Sequence, residues 1–204
     1  MYIKMYEENP NPKHVRRIVD ILENNGVIIY PTDTVYGIGC DITKPKAVER
    51  VARIKNIEPK KALFSIICYD ISQITEYTTP IDKSTFKLIK RNLPGPFTFI
   101  FPSNNNVPKV LNAKRKQIGI RVPDNNIILS IARELRNPIL TTSLKDDDKI
   151  LEYTTDPELI YADFQNLVDA VVDGGYGNNV PSTVVNCTND EPEIVRQGKG
   201  ILRL

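Results

Sequence analysis

An α/β domain built on a mixed sheet is the architecture this sequence predicts, and three observations carry it. Short runs rich in β-branched and aromatic residues, such as Val27–Tyr30 and Phe97–Phe101, alternate with longer segments whose apolar residues recur at helical spacing. Turn-forming residues such as Gly26, Pro80, Gly95 and Gly174 punctuate the junctions. The 204 residues, 41% hydrophobic and 25% charged, are of a length and composition to bury a sizeable core in one domain.

Asn11 to Asn25 is expected to be a helix: Pro12 suits a first turn, Val15, Ile18, Val19 and Leu22 share one face, and Gly26 follows as a stop. A strand over Val27–Tyr30 leads into the loop Pro31–Asp41, PTDTVYGIGCD. A second helix, Pro45 to Ile54, gathers Ala47, Val48, Val51 and Ile54 on one side and runs into Lys55, Lys60 and Lys61. A short strand is expected over Leu63–Cys68, then helices over Ile71–Thr78 and Ile81–Asn92, the second closed by Leu93-Pro94-Gly95-Pro96.

The strand Phe97–Phe101 precedes a polar loop, Pro102 to Gln117, that carries Lys109, Lys114, Arg115 and Lys116. Next come a strand at Ile118–Val122, a helix at Asn125–Leu135 and a strand at Pro138–Thr142. An acidic loop follows at Asp146–Asp148, Asp156-Pro157-Glu158 marks a helix start, and Val168–Val172 reads as a strand. Ser182–Asn186 and Pro192–Arg196 form a terminal hairpin.

Bulk properties exclude several classes. A net charge of +2 leaves any affinity for polyanions to local clustering of Lys and Arg. Cys40, Cys68 and Cys187 are odd in number and lack a C-x-x-C pair, which points away from a disulfide framework or zinc site and towards a reducing cytoplasm. The amino terminus has no apolar segment of signal type, and no window approaches the ~20 apolar residues of a membrane span.

His14 is the only histidine, so a Ser-His-Asp or Cys-His system is not expected, nor a histidine-rich metal site. Neither the Walker pattern nor G-x-G-x-x-G is present. Three groups remain as candidates. In the opening loop, Thr32 and Thr34 offer hydroxyls, Asp33 a carboxylate, and Gly37 and Gly39 a close backbone approach; the same residues would also suit a self-satisfied turn. Lys55, Lys60 and Lys61, with Arg53 upstream, suit phosphate oxygens or simple solvation. Arg121, Ser143, Ser182, Thr183 and Arg196 sit at strand ends, where ligands of open α/β sheets bind.

Taken together, PTDTVYGIGCD, AVERVARIK, LPGPFTFIF, QIGIRVPD, ILTTS, VVDGG, PSTVVNCT and EIVRQGKG, in this order from Gly26 to Gly200, resemble the YrdC/YciO family, whose better known members are threonylcarbamoyl-AMP synthases. The resemblance implies a YrdC-like open twisted sheet with flanking helices around a large, positively charged concave surface. A single domain, residues 1–204, is expected, without the further carboxy-terminal domain of some longer synthases.

The reaction so implied joins L-threonine, bicarbonate and ATP, with Mg2+ expected alongside the ATP, into threonylcarbamoyl-AMP and pyrophosphate. A partner tRNA-modification protein then passes the group to an adenosine of transfer RNA. By resemblance, Thr34, Tyr36, Arg121 and Ser143 bind threonine and bicarbonate, and Lys55, Lys61, Thr98, Ser143, Ser182 and Arg196 bind the nucleotide. Lys55, Lys61 and Arg121 act in catalysis, chiefly by positioning and by neutralising charge.

Two positions differ from the synthases. Ile57 stands where their Lys-x-Arg carries arginine, and Lys145 where their Ser-x-Asn carries asparagine; both changes resemble the YciO branch. Two further readings stay open: a protein that holds double-stranded RNA or transfer RNA through Lys109, Lys114, Arg115 and Lys116, and a nucleotide-binding relative with another acyl or amino acid substrate.

Overall fold

The computed structural model describes residues 1–58, 64–112, 116–144, 155–189 and 191–204. Its elements run β1 (Tyr2–Lys4), α1 (Pro12–Glu23), β2 (Ile28–Tyr30), β3 (Gly37–Asp41), α2 (Pro45–Ile54) and β4 (Ser65–Ile67). There follow α3 (Ile71–Tyr77), α4 (Lys83–Asn92), β5 (Phe97–Pro102), α5 (Lys109–Asn112), β6 (Gln117–Arg121) and α6 (Asn126–Leu135). The chain ends with β7 (Ile139–Ser143), α7 (Pro157–Phe164), β8 (Ala170–Asp173), β9 (Thr183–Asn186) and β10 (Glu193–Arg196).

The expected helices form where side chains satisfy their first turns. Asn11, Asp70, Asp82, Asn125 and Asp156 each accept a backbone N–H at a helix start. Proline occupies the first turn of α1, α2 and α7, where its missing N–H removes no helical bond. Along α1, Val15, Ile18, Val19 and Leu22 are buried, each worth about 1.5–3 kcal/mol relative to exposure.

The ten strands among the described residues belong to one mixed sheet, in the order β1-β8-β2-β3-β7-β4-β6-β5-β9-β10. The terminal hairpin is antiparallel, as expected. Three elements depart from the sequence expectations. The second half of PTDTVYGIGCD is not loop but β3, paired antiparallel with both β2 and β7. Tyr2–Lys4 joins the sheet edge parallel to β8, and α5 interrupts the polar loop after β5. All three segments are short, and β3 carries two glycines, so none presents the length or periodicity by which an element is recognised. Leu63, Lys114, Arg115 and the acidic run 146–148 lie outside the described residues.

Side-chain alternation divides the sheet into two faces. One face carries Ile66, Ile118, Ile120, Phe99 and Val185, which pack with Leu88 and Ile89 of α4, and continues into Ile38, Cys40, Leu140 and Val171 beneath Val48 and Val51 of α2. The other is covered by α1 and α6 only over Ile28, Tyr30, Ile67, Ile139 and Val172. Beyond that cover the second face changes character. Register places Thr141 and Gly119 beside Ser65, Ile100 beside Gly119, and Ser143 beside Gly37. A strip of small and hydroxyl residues therefore lies on this part of the sheet, half-buried at Ser65, Gly119 and Ser143.

Candidate functional site

Tyr30 shapes one end of this strip. Its ring lies against Gly37 and its hydroxyl against Gly39, where an added Cβ would strike them, and that hydroxyl donates to Thr141 Oγ1 at 2.7 Å. Burial pushes the Tyr30 phenol up, so it stays a neutral donor. At the centre, a Cβ on Gly119 would collide with Ser65 Oγ and approach Thr98 Cγ2 to 3.2 Å. Glycine thus keeps the floor open to a ligand.

The loop between β2 and β3 folds back onto this floor. Thr34 is fully buried, and its Oγ1 accepts from Arg121 Nη2 at 2.9 Å. Thr32 donates to the Val35 carbonyl at 2.8 Å, which leaves Thr34 to donate its own proton to Thr32 Oγ1 at 3.0 Å. The chain of donors from Arg121 through Thr34 and Thr32 to Val35 fixes both hydroxyls.

Arg121 also meets Asp33 Oδ1 at 3.0 Å, while Asp33 Oδ2 accepts the Asp124 N–H at 3.0 Å. Burial pushes the Asp33 carboxyl above its ordinary range, opposed by Arg121, the Asp124 N–H and Lys199. Burial likewise pulls the Arg121 guanidinium down, with Asp33 opposing it and Arg196 adding to the fall. The guanidinium keeps its charge, since arginine is protonated throughout the accessible range. Its Nε is buried and has no hydrogen-bond partner among the described residues.

A second group stands beside the first. Thr98 Oγ1 and Ser182 Oγ are 2.8 Å apart and both buried, and Arg196 Nη2 donates to the Ser182 carbonyl at 2.9 Å. Phe99 pairs with Ile120 across β5 and β6, so Thr98 stands opposite Arg121 and joins the two groups. At the opposite end of the floor, Lys55 Nζ donates to the Leu144 carbonyl at 3.2 Å, next to Ser143.

The structure therefore brings Thr34, Arg121, Thr98, Ser182 and Arg196 together, and Lys55 with Ser143 at the far rim. Tyr36 is spent elsewhere. Its hydroxyl donates to the Gly175 carbonyl at 2.7 Å and accepts the Gly174 N–H at 3.1 Å, while its ring packs in the core under α2. Lys60 and Lys61 lie outside the described residues.

Sequence reasoning offered Asp33 as a carboxylate but not as the partner of Arg121, and it passed over Ser65, Thr141 and Lys199. Lys199 Nζ donates to the Asp33 carbonyl at 2.6 Å, so the carboxy-terminal segment joins the loop. A cavity of about 400 Å³ opens on this side, bordered by Thr32, Asp33, Asp124, Asn125, Tyr176 and Lys199. It adjoins the floor without including Lys55, Ser143, Ser182 or Arg196.

Burial pushes the thiols of Cys40 and Cys68 up, which keeps them protonated and inert. Among the described residues no three His, Cys, Asp or Glu side chains gather into a metal site, and no helix is long and apolar enough to cross a membrane.

Known proteins share both sequence and geometry with this chain. The sequence model of the Sua5/YciO/YrdC family, described as "Telomere recombination", matches residues 20–198. The uncharacterised protein YciO of Escherichia coli K12 is 38% identical over 201 residues, which cover 98% of this chain and 96% of that protein. Its crystal structure superposes with a TM-score of 0.90 at 37% identity, covering 98% of this chain and 97% of YciO.

The threonylcarbamoyl-AMP synthase of Bacillus subtilis is 32% identical over 195 residues, 94% of this chain but 55% of the synthase. Pyrococcus abyssi Sua5, solved in complex with L-threonine, gives a TM-score of 0.87 at 25% identity, over 97% of this chain and 57% of Sua5. This chain thus spans just over half the length of those two proteins. With a family match over residues 20–198 and a relative 38% identical over nearly the whole of both chains, the chain belongs to the Sua5/YciO/YrdC family.

Proposed function

We propose that this protein is a threonylcarbamoyl-AMP synthase, joining L-threonine, bicarbonate and ATP. The observation that carries the reading is the placement of Thr34 and Arg121 beside Thr98, Ser182 and Arg196 on one face of the sheet. The first pair suits a small amino acid and the second group suits phosphate oxygens. The likeness to the B. subtilis synthase and to a Sua5 solved with L-threonine supports the choice of substrate.

In this reading the Arg121 guanidinium, held in place by the Thr34 hydroxyl, orients threonine, whose amine takes up bicarbonate with loss of water to give the carbamate. A carbamate oxygen attacks the α-phosphorus, and pyrophosphate leaves. Thr98 and Ser182 donate to phosphate oxygens, and Arg196 and Lys55 offset charge as it moves to the leaving group. Magnesium enters as the ATP complex rather than as a resident ion. Ile57, 37% exposed, places no charge where the synthases it resembles carry arginine, so neutralisation falls on fewer cations and turnover is slower than theirs.

The test is to incubate the protein with ATP, magnesium, bicarbonate and L-threonine and to follow pyrophosphate and threonylcarbamoyl-AMP together. Threonine-dependent formation of both is expected. Formation of neither, or of pyrophosphate without threonine, would overturn the reading.

A further inference from the structure

Tyr36 follows Thr34 by two residues, yet it packs in the core beneath α2 with only 1% of its surface exposed. Burial pushes its phenol up, so the hydroxyl stays neutral and can both donate and accept. That one hydroxyl holds both sides of a turn, donating to the Gly175 carbonyl at 2.7 Å and accepting the Gly174 N–H at 3.1 Å. The Gly175 N–H donates in turn to Asp173 Oδ1 at 2.8 Å, with the backbone at a φ of +88° that glycine adopts freely.

From Gly174 to Val180 no residue is buried. The segment has no apolar anchor of its own, so hydrogen bonds and the Tyr36 ring decide where it lies. A Cβ on Gly177 would come within 2.7 Å of that ring, and the Gly177 N–H donates to the Thr155 carbonyl at 2.8 Å. One residue further on, the Asn178 N–H donates to the Thr34 carbonyl at 3.1 Å. The path from the Tyr36 hydroxyl thus returns to the residue whose own hydroxyl receives Arg121.

The other parts of the site depend on Tyr36 differently. Its backbone carbonyl accepts the Leu144 N–H at 3.0 Å, beside Ser143 and Lys55, and that bond survives a change of side chain. Thr98, Ser182 and Arg196 lie on or beside β5, β9 and β10, across β7, β4 and β6 from β3. We infer that Tyr36 is a positioning residue for threonine: it does not touch the substrate, but fixes segment 174–178, which fixes Thr34 beneath Arg121. The inference rests on the synthase reading of the site.

Calorimetric titration of L-threonine, steady-state kinetics and amide hydrogen exchange of Y36F test it. Y36F is expected to weaken threonine binding about fivefold, the scale of one lost hydrogen bond, and to raise KM for threonine in step. Both kcat and KM for ATP are expected to change little, as for an interaction that serves binding alone. Exchange of the Asn178 amide is expected to speed up. On a Thr34→Val background Y36F is expected to add nothing, because both changes act through one residue. Val19→Ala, in the α1 core, is expected to lower Tm and leave threonine affinity and Asn178 exchange unaltered.

Absence of turnover by the unaltered protein would refute the synthase reading, and absence of threonine binding would refute both. Where the unaltered protein binds threonine, equally tight binding by Y36F, unchanged exchange at Asn178 or an undiminished effect on the Thr34→Val background overturns the inference alone. An equal loss of threonine affinity in Val19→Ala also overturns it, as the mark of general destabilisation. If Y36F does not fold, G177A, which crowds the same ring, replaces it under the same expectations.

Discussion

Arg121 and Asp33 stand 88 residues apart in sequence and 3.0 Å apart in space, joining the end of β6 to the loop after β2. Both are largely withdrawn from water, with side-chain exposures of 10% and 8%. Their mutual attraction is therefore offset by desolvation, and what matters is whether either is left alone. Asp33→Ala strands the guanidinium and is expected to cost about 3–5 kcal/mol in urea unfolding, whereas Asp33→Leu with Arg121→Met costs much less. Equal losses in the two variants would refute this account.

The open floor depends on positions that tolerate no side chain. At Gly39 a methyl group meets the Leu140 carbonyl, a backbone atom that moves only if β3 and β7 separate. Gly39→Ala is expected to exceed the ~1–3 kcal/mol usual for overpacking. At Gly119 the clash is with Ser65 Oγ, so Gly119→Ala is milder and Ser65→Ala in the same chain restores most of the loss. Thermal melting of the three variants checks the order.

Asp82 governs a pH response in α4. Hydrogen bonds from Ser84 and Thr85 hold its carboxyl well below the usual carboxylate range. A depressed folded pKa gives stability that is present above the unfolded value and lost as pH falls through the folded one. Asp82→Ala is therefore expected to lower Tm at pH 7, with the gap from the unaltered protein closing below about pH 4. Asp82→Asn, still a capping residue, should show a smaller gap.

If the synthase reading holds, two hydroxyl deletions should act on different substrates. Thr34→Val removes the acceptor of Arg121 and is expected to raise KM for threonine about tenfold or more, with KM for ATP little changed. Ser182→Ala removes the partner of Thr98 and should do the reverse. Steady-state pyrophosphate release, with each substrate varied in turn, separates the outcomes. Identical shifts in both would mean that the groups do not address different ligands.

Much of this architecture was legible in local pattern. The faces of α1, α2 and α6 follow from apolar spacing, and their ends from Asn11, Pro45 and Asn125. The helix expected from Ile81 begins at Lys83, because Asp82 caps it. β3 escaped notice because Gly37 and Gly39 read as turn residues, and only the Tyr30 ring against Gly37 and the Leu140 carbonyl against Gly39 show why a strand needs glycine there. Thr34, Thr98, Arg121, Ser182 and Arg196 were all named as candidates, yet their grouping was not derivable from spacing.

By itself the sequence determined most helices and strands, the family motifs and the acid-free stretch between Asp82 and Asp124, since these rest on neighbours along the chain. Only the tertiary structure decided that Asp33 occupies Arg121, that Tyr36 spends its hydroxyl on Gly174 and Gly175, and that Asn92 clamps Arg203. Those contacts are made across strand crossovers, where the order of the sheet, and not distance in sequence, sets which side chains meet.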